Sequence, residues 1–380
     1  FPVNKITAPA LFSIDLYRAG RRVRLSGGPP RPDSRRTRST GMKRGPARIT
    51  LLIALIACGL AVFTLNAPPG MMQDEDFIIR EGESARGVAR RLKGLNLITS
   101  ETFFSASARA ASRIAGSGVR KGKYRIARGT SSLRILYAFL RGDVVKSKIT
   151  VPEGFNLYQI AERLEAKRVT VAGDFLYHAF NPSHMRALGI DSPSAEGYLY
   201  PDTYIIPEAS DARDVIALMH RRAKEVIAKL DTPVLRQRGL SVHELLTLAS
   251  LVEKETALPA ERTLVASVFH NRLKKNMKLD CDPTVRYATR KFTGRIGYRD
   301  LAYNSPFNTY LYRGLPPTPI CSPGLAAIEA ALHPVESEYL YFVSRNDGSH
   351  HFSKSLKEHN RAVNYYQKGI GGDFRDEQRR

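Results

Sequence analysis

Apolar and polar positions along the chain fall into three regimes. From Ile49 to Leu65 the sequence reads ITLLIALIACGLAVFTL, and no charged residue stands between Arg48 and Asp74. About 17 apolar residues in a row is the short end of what crosses a bilayer as a helix, so residues 49–66 are predicted to be a transmembrane helix. Next comes a pattern that occurs twice at one offset. Ile79-Arg-Glu-Gly-Glu-Ser-Ala-Arg-Gly-Val-Ala-Arg-Arg-Leu92 lines up with Val151-Pro-Glu-Gly-Phe-Asn-Leu-Tyr-Gln-Ile-Ala-Glu-Arg-Leu164. Each copy predicts a strand, a Glu-Gly turn and a helix whose Val88/Ile160 and Leu92/Leu164 recur four apart. Past Pro207 the pattern becomes helical, with apolar periodicity over 211–230 and 241–256. The second helix opens on Ser241-Val-His-Glu244, a capping box, and its stripe is Leu245, Leu248, Ala249 and Val252. Small βα units followed by a largely helical region predict an α+β fold.

Charge sets the orientation. Lys43, Arg44 and Arg48 precede the apolar segment while Asp74, Glu75 and Asp76 follow it, which places the N-terminus in the cytoplasm and the bulk of the chain outside. No small-x-small cleavage site is convincing at 64–70, so an anchor is expected rather than a cleaved leader. The net charge of +23 points to anionic partners. Residues 1–48 alone carry +10 and include GGPPRPDSRRTRST, which has no apolar period and is expected to be a disordered cytoplasmic tail. Nucleic acid is excluded as the partner: much of the excess sits ahead of an anchor, and no helix-turn-helix, RNP or zinc-finger pattern occurs. Three cysteines exclude a disulfide-rich scaffold. His350, His351 and His359 have no standard ligand spacing and no acid pair nearby, so no metal is expected.

The chemistry concentrates in Val252-Glu-Lys-Glu255. On a helical wheel Glu253 and Glu255 lie on opposite flanks of the apolar stripe, and Lys254 points away. A carboxyl at the edge of such a stripe is partly desolvated, which raises its pKa and suits it to giving a proton near neutrality. Geometry alone does not choose between the two.

Six ordered motifs carry a resemblance. Glu196-Gly-Tyr-Leu-Tyr-Pro-Asp-Thr-Tyr204, Ala249-Ser-Leu-Val-Glu-Lys-Glu-Thr256, Val265-Ala-Ser-Val-Phe-His-Asn-Arg-Leu273, Asp282-Pro-Thr-Val285, Asn308-Thr-Tyr310 and Gly314-Leu-Pro-Pro-Thr-Pro-Ile-Cys-Ser-Pro-Gly324 resemble those of the endolytic murein transglycosylase (MltG, YceG-like) family, over roughly residues 76 to 366. The resemblance implies a single-pass inner-membrane protein whose substrate is peptidoglycan, with penicillin-binding proteins as partners and no cofactor. It implies cleavage of the bond between N-acetylmuramic acid and N-acetylglucosamine to leave a 1,6-anhydro end, the glutamate that gives the proton also taking one back. It puts the catalytic acid on Glu253 and leaves Glu255 as support. A wall-binding scaffold without turnover is the alternative.

The organisation expected is a tail (1–48), a membrane helix (49–66), a linker (67–75), a LysM-like glycan-binding subdomain (76–145), a catalytic domain (146–366, with 146–180 repeating the strand-turn-helix unit) and a second tail (367–380). Supporting roles fall to Tyr200 and Tyr204, expected to stack on sugar faces, to Asn308 and Tyr310 as hydrogen-bond partners of the substrate, and to Asp282 and Thr284 as residues orienting Glu253. Glu196 is the runner-up for a second acid. Cys281 and Cys321, in an exported domain, are expected to pair as a disulfide.

Overall fold

The structure, a computed structural model, describes residues 45–70 and 73–370. Of the two expected tails, only 45–48 and 367–370 fall within it. The first element, α1 (Gly45–Asn66), starts a little before the expected span; its residues 48–66 have a mean hydropathy of 2.3 and none is buried. It is one helix long and apolar enough to cross a membrane.

The first packed group comprises β1 (Glu75–Ile79), α2 (Ala85–Gly94), α3 (Glu101–Ala115), β2 (Gly122–Ile126) and α4 (Ser132–Arg141). β1 and β2 pair antiparallel with Phe77 opposite Tyr124, and both rings pack on Phe139. The second repeat copy supplies β3 (Lys146–Thr150) and α5 (Leu157–Ala166), followed by α6 (Ala172–Ala179), α7 (Pro182–Leu188) and β4 (Thr203–Pro207). The two copies share their joints. Gly82 and Gly154 both take the left-handed conformation that a Glu-Gly turn needs, and Ser84 and Asn156 both cap the following helix by accepting from the backbone three residues on. Their partners differ: β3 pairs antiparallel with β4, with Ile149 opposite Tyr204.

The rest is helical until a final hairpin. In order come α8 (Ala212–Ile227), α9 (Thr232–Gln237), α10 (Val242–Glu255), a 3-10 turn (Pro259–Glu261), α11 (Arg262–Lys274), α12 (Asp282–Thr289), α13 (Tyr298–Leu301), α14 (Leu325–Leu332), β5 (Tyr341–Ser344), β6 (His350–Ser353) and α15 (Leu356–Lys368). Buried apolar residues form two clusters, one within 77–139 and a larger one within 149–352.

Helix α10 runs through the larger core. Every residue from Leu245 to Val252 is buried, and each leucine-sized side chain so placed contributes about 1.5–3 kcal/mol. Its start is the expected capping box: Ser241 Oγ accepts from Glu244 N at 3.1 Å while the Glu244 carboxylate accepts from Ser241 N at 2.8 Å. It stops where Thr256 turns extended and its hydroxyl donates to the Val252 carbonyl. The last turn, carrying Glu253 and Glu255, therefore emerges at the edge of the core.

Candidate active site

The two glutamates leave α10 toward different surroundings. Glu253 faces the second Glu-Gly turn. Its Oε2 accepts from Gly324 N at 3.0 Å, and its side chain lies against Gly154. Gly154 N donates to the Ser322 carbonyl at 2.9 Å and Ser322 N to the Phe155 carbonyl at 2.8 Å, which stitches this turn to the strand of chain ending at Gly324. The Glu153 carboxyl sits over Gly324 so closely that any side chain at 324 would collide with it. Burial raises the Glu253 pKa, the Gly324 N–H opposes that, and the Glu153 charge adds to it. Glu253 is thus an acid in a packed seam between two backbone segments.

Glu255 faces a cavity of about 480 Å³. The walls come from far apart in the chain: the end of α10, Phe269 and Arg272 of α11, residues 279–282, Tyr310, the β5–β6 hairpin, and His359 and Asn360 of α15. Arg272 organises one side. Its guanidinium donates to the carbonyls of Leu340 at 2.6 Å, Lys278 at 3.0 Å and Leu279 at 3.1 Å, pairs with Asp280 at 2.9 Å and stacks on Tyr341. Glu255 keeps some accessible surface, yet protein surrounds its carboxyl closely enough that burial pushes the pKa up to about 7. The Cys281 thiol, hydrogen-bonded to this carboxyl, acts against that shift, as does the Arg272 guanidinium; Asp282 reinforces it.

Two further expected residues share the cavity. Asp282 opens α12, and its Oδ1 accepts from the Tyr310 hydroxyl at 2.7 Å. They stand beside Glu255 and not, as expected for Asp282, beside Glu253. Thr284 is fully buried and spends its hydroxyl on the Cys281 carbonyl at 2.7 Å and on Thr309 at 2.9 Å. Asn308 is also fully buried; its amide donates to the carbonyls of Leu301 and Tyr303, both at 2.9 Å, and holds the loop that presents Tyr310.

The remaining expectations are corrected. Tyr204 points inward from β4 and donates to the Tyr200 carbonyl, so it is a core residue and has no face free for a sugar. Tyr200 is half-buried with the Arg222 guanidinium over its ring, away from the cavity wall. Glu196 is fully enclosed: Oε2 accepts from Leu157 N at 3.1 Å and the Tyr287 hydroxyl at 2.9 Å, Oε1 has no partner, and burial pushes its pKa up to about 8. It is a core residue outside the cavity, and its burial favours the protonated form. Cys281 and Cys321 are buried free thiols, not a disulfide. They serve different neighbours, Cys281 the Glu255 carboxyl and Cys321 the Ser250 carbonyl at 3.4 Å.

Sequence reasoning missed Cys281 as a partner of Glu255, Arg272, Tyr341, and a contact between His350 and Glu261. A basic residue on the apolar stretch VASVFHNRL was a usable sign for Arg272. None existed for the His350–Glu261 contact, which spans 89 residues. A larger cavity, about 760 Å³, opens between α9, α11 and residues 334–337, but its one carboxylate, Glu336, is exposed.

The sequence profile of the YceG-like family matches residues 77–365. An endolytic murein transglycosylase of Bacillus subtilis is 34% identical over 304 residues, which are 76% of this chain and 83% of that protein. One of Streptococcus pneumoniae is 30% identical over 75% of this chain and 57% of its own length. Among solved structures, a YceG-like protein of Listeria monocytogenes is similar with a TM-score of 0.53 at 33% identity, covering 76% of this chain and 99% of that one.

Proposed function

The chain belongs to the YceG-like family, and from that premise we propose that it is a peptidoglycan lytic transglycosylase in which Glu255, rather than Glu253, gives the proton. The observation that carries this is the Glu255 carboxyl, raised to about 7 inside a cavity that also holds Asp282 and Tyr310. At neutral pH an ordinary glutamate is almost wholly ionised and has no proton to give, whereas burial pushes this one up to about 7, where the protonated form is available. The cavity volume lies in the range that holds small ligands. Glu253 is also shifted upward, but its carboxylate is engaged by the Gly324 N–H and its Cγ lies against Gly154.

The reaction then follows from what surrounds Glu255. The protonated carboxyl donates to the oxygen joining C1 of N-acetylmuramic acid to N-acetylglucosamine as that bond breaks. The C6 hydroxyl of the same muramic residue closes onto C1, and its proton passes to a base in the cavity. A hydrolase needs a second free carboxylate ~5 to 9 Å away to attack the sugar or activate water. Here the neighbouring acids are engaged, Asp282 by Tyr310 and Asp280 by Arg272. Internal closure supplies the nucleophile at an effective concentration of roughly 10⁵ M or more, so water is not required.

Helix α1 and its flanking charges support an inner-membrane anchor with a cytoplasmic N-terminus and the catalytic domain outside. In this reading the compact group from β1 to α4 serves as a LysM-like unit that grips the glycan strand; its antiparallel β1–β2 pair with a core of its own supports that. Association with penicillin-binding proteins belongs to the same reading and is supported by the family alone. The test is product chemistry. Full-length protein in detergent, incubated with purified peptidoglycan, yields 1,6-anhydromuramyl ends by mass spectrometry. Reducing ends point to a hydrolase using Asp282, and intact strands to a scaffold.

A further inference from the structure

A second proton-handling pair shares the cavity with Glu255. The His350 imidazole forms part of the wall. Its Nδ1 lies 2.7 Å from Glu261 Oε2, and the His350 backbone N–H donates to both oxygens of the same carboxylate at 2.9 and 3.1 Å. Both side chains are little exposed, 11% and 15%. Although Glu261 stands just before α11, its carboxylate caps no helix. A carboxylate at Nδ1 keeps the proton there, so the neutral ring presents Nε2 as a lone pair. Nε2 has no hydrogen-bond partner among the described residues. The ring is fixed edge-on to Phe342 at 5.3 Å and to Phe352 at 6.3 Å.

We infer that His350, oriented by Glu261, is the base that receives the C6 hydroxyl proton. The inference rests on Glu255 as the donor. The balance is complete: Glu255 loses a proton to the leaving oxygen, the C1–O4 bond breaks, the C6 oxygen bonds to C1, and the hydroxyl proton moves to Nε2. The imidazolium stands against the Glu261 carboxylate and then releases its proton to solvent, from which Glu255 regains one. A separate acceptor lets both transfers proceed together, whereas a single carboxyl must first give its proton before it can take another. The titratable and charged groups that share this space are Glu261, Glu255 of α10, Arg272 of α11 with its partner Asp280, Asp282 of α12 and His359 of α15.

The experiment uses full-length protein in detergent, purified peptidoglycan, and the variants H350Q, H350A and E261Q, reading the rate of anhydro-end formation and the ratio of anhydro to reducing ends. His350→Gln lowers the anhydro rate roughly 10²-fold and raises the share of reducing ends. Added imidazole restores the anhydro rate of His350→Ala, which a structural defect does not allow. Glu261→Gln moves both readouts in the same direction by less, and stands in if the histidine variants fail to fold. The inference is overturned if His350→Gln stays within ~threefold of wild type, or if His350→Ala is slow with an unchanged product ratio and no response to imidazole. Absence of anhydro ends from the wild type overturns the Glu255 reading itself.

Discussion

A carboxyl gives up a proton near neutral pH only when its surroundings disfavour the charge, and Glu253 and Glu255 meet that condition in different ways. Burial raises both, and Glu255 lines a cavity of about 480 Å³ while the Glu253 carboxylate accepts from Gly324 N. Because the protonated form is active, turnover falls as pH rises through about 7, and a pH–rate profile of kcat that stays flat to well above that value contradicts the assignment. The wheel argument put the two acids on opposite flanks of α10, and they do diverge. Which flank carries a cavity was not legible, because residues 279–282, Tyr310 and the β5–β6 hairpin build it from a distance. The cysteines teach the same lesson. Lying in neighbouring motifs says nothing about Sγ geometry, and the two thiols turn to Glu255 and Ser250 instead. Titration of denatured, unreduced protein finds three reactive thiols, Cys58 included; a Cys281–Cys321 bond leaves one.

Among the elements, α10 positions both acids, so its ends matter. Ser241→Ala removes the side-chain cap and lowers stability by about 1 kcal/mol, measurable as a lower thermal midpoint with the pH profile unchanged. Gly197 is more demanding: it has φ +78°, and a methyl there collides with the Pro319 ring. Gly197→Ala costs ~1–3 kcal/mol, and a variant as stable as wild type refutes the packing described. The capping box and both Glu-Gly turns were legible because their signals are local. Strand partners were not, since β1 closes with β2 while β3 waits for β4 beyond three intervening helices. Tyr204 was misjudged although a sign was available: period-two alternation over 203–207 turns Tyr204 and Ile206 to the same buried face.

The molecule as a whole carries a pH-dependent cost in Glu196. Its pKa is about 8 when folded and near 4.5 in an unfolded chain, so the native state holds the extra proton between those values. Stability is full below about 4.5 and declines toward pH 8, by on the order of a few kcal/mol, with Glu255 adding in the same sense. Glu196→Gln flattens that decline in chemical denaturation across pH, and an unaltered slope shows that Glu196 is not protonated in the core. The net charge of +23 named no substrate; the ordered motifs pointed to one. The central claim, that one acid at the cavity edge starts the reaction, is tested most directly by anhydro-end formation in two single variants of the full-length protein. Glu255→Gln loses roughly 10²-fold or more while Glu253→Gln stays within ~tenfold of wild type. Loss of turnover in Glu253→Gln together with a near wild-type rate in Glu255→Gln contradicts the account.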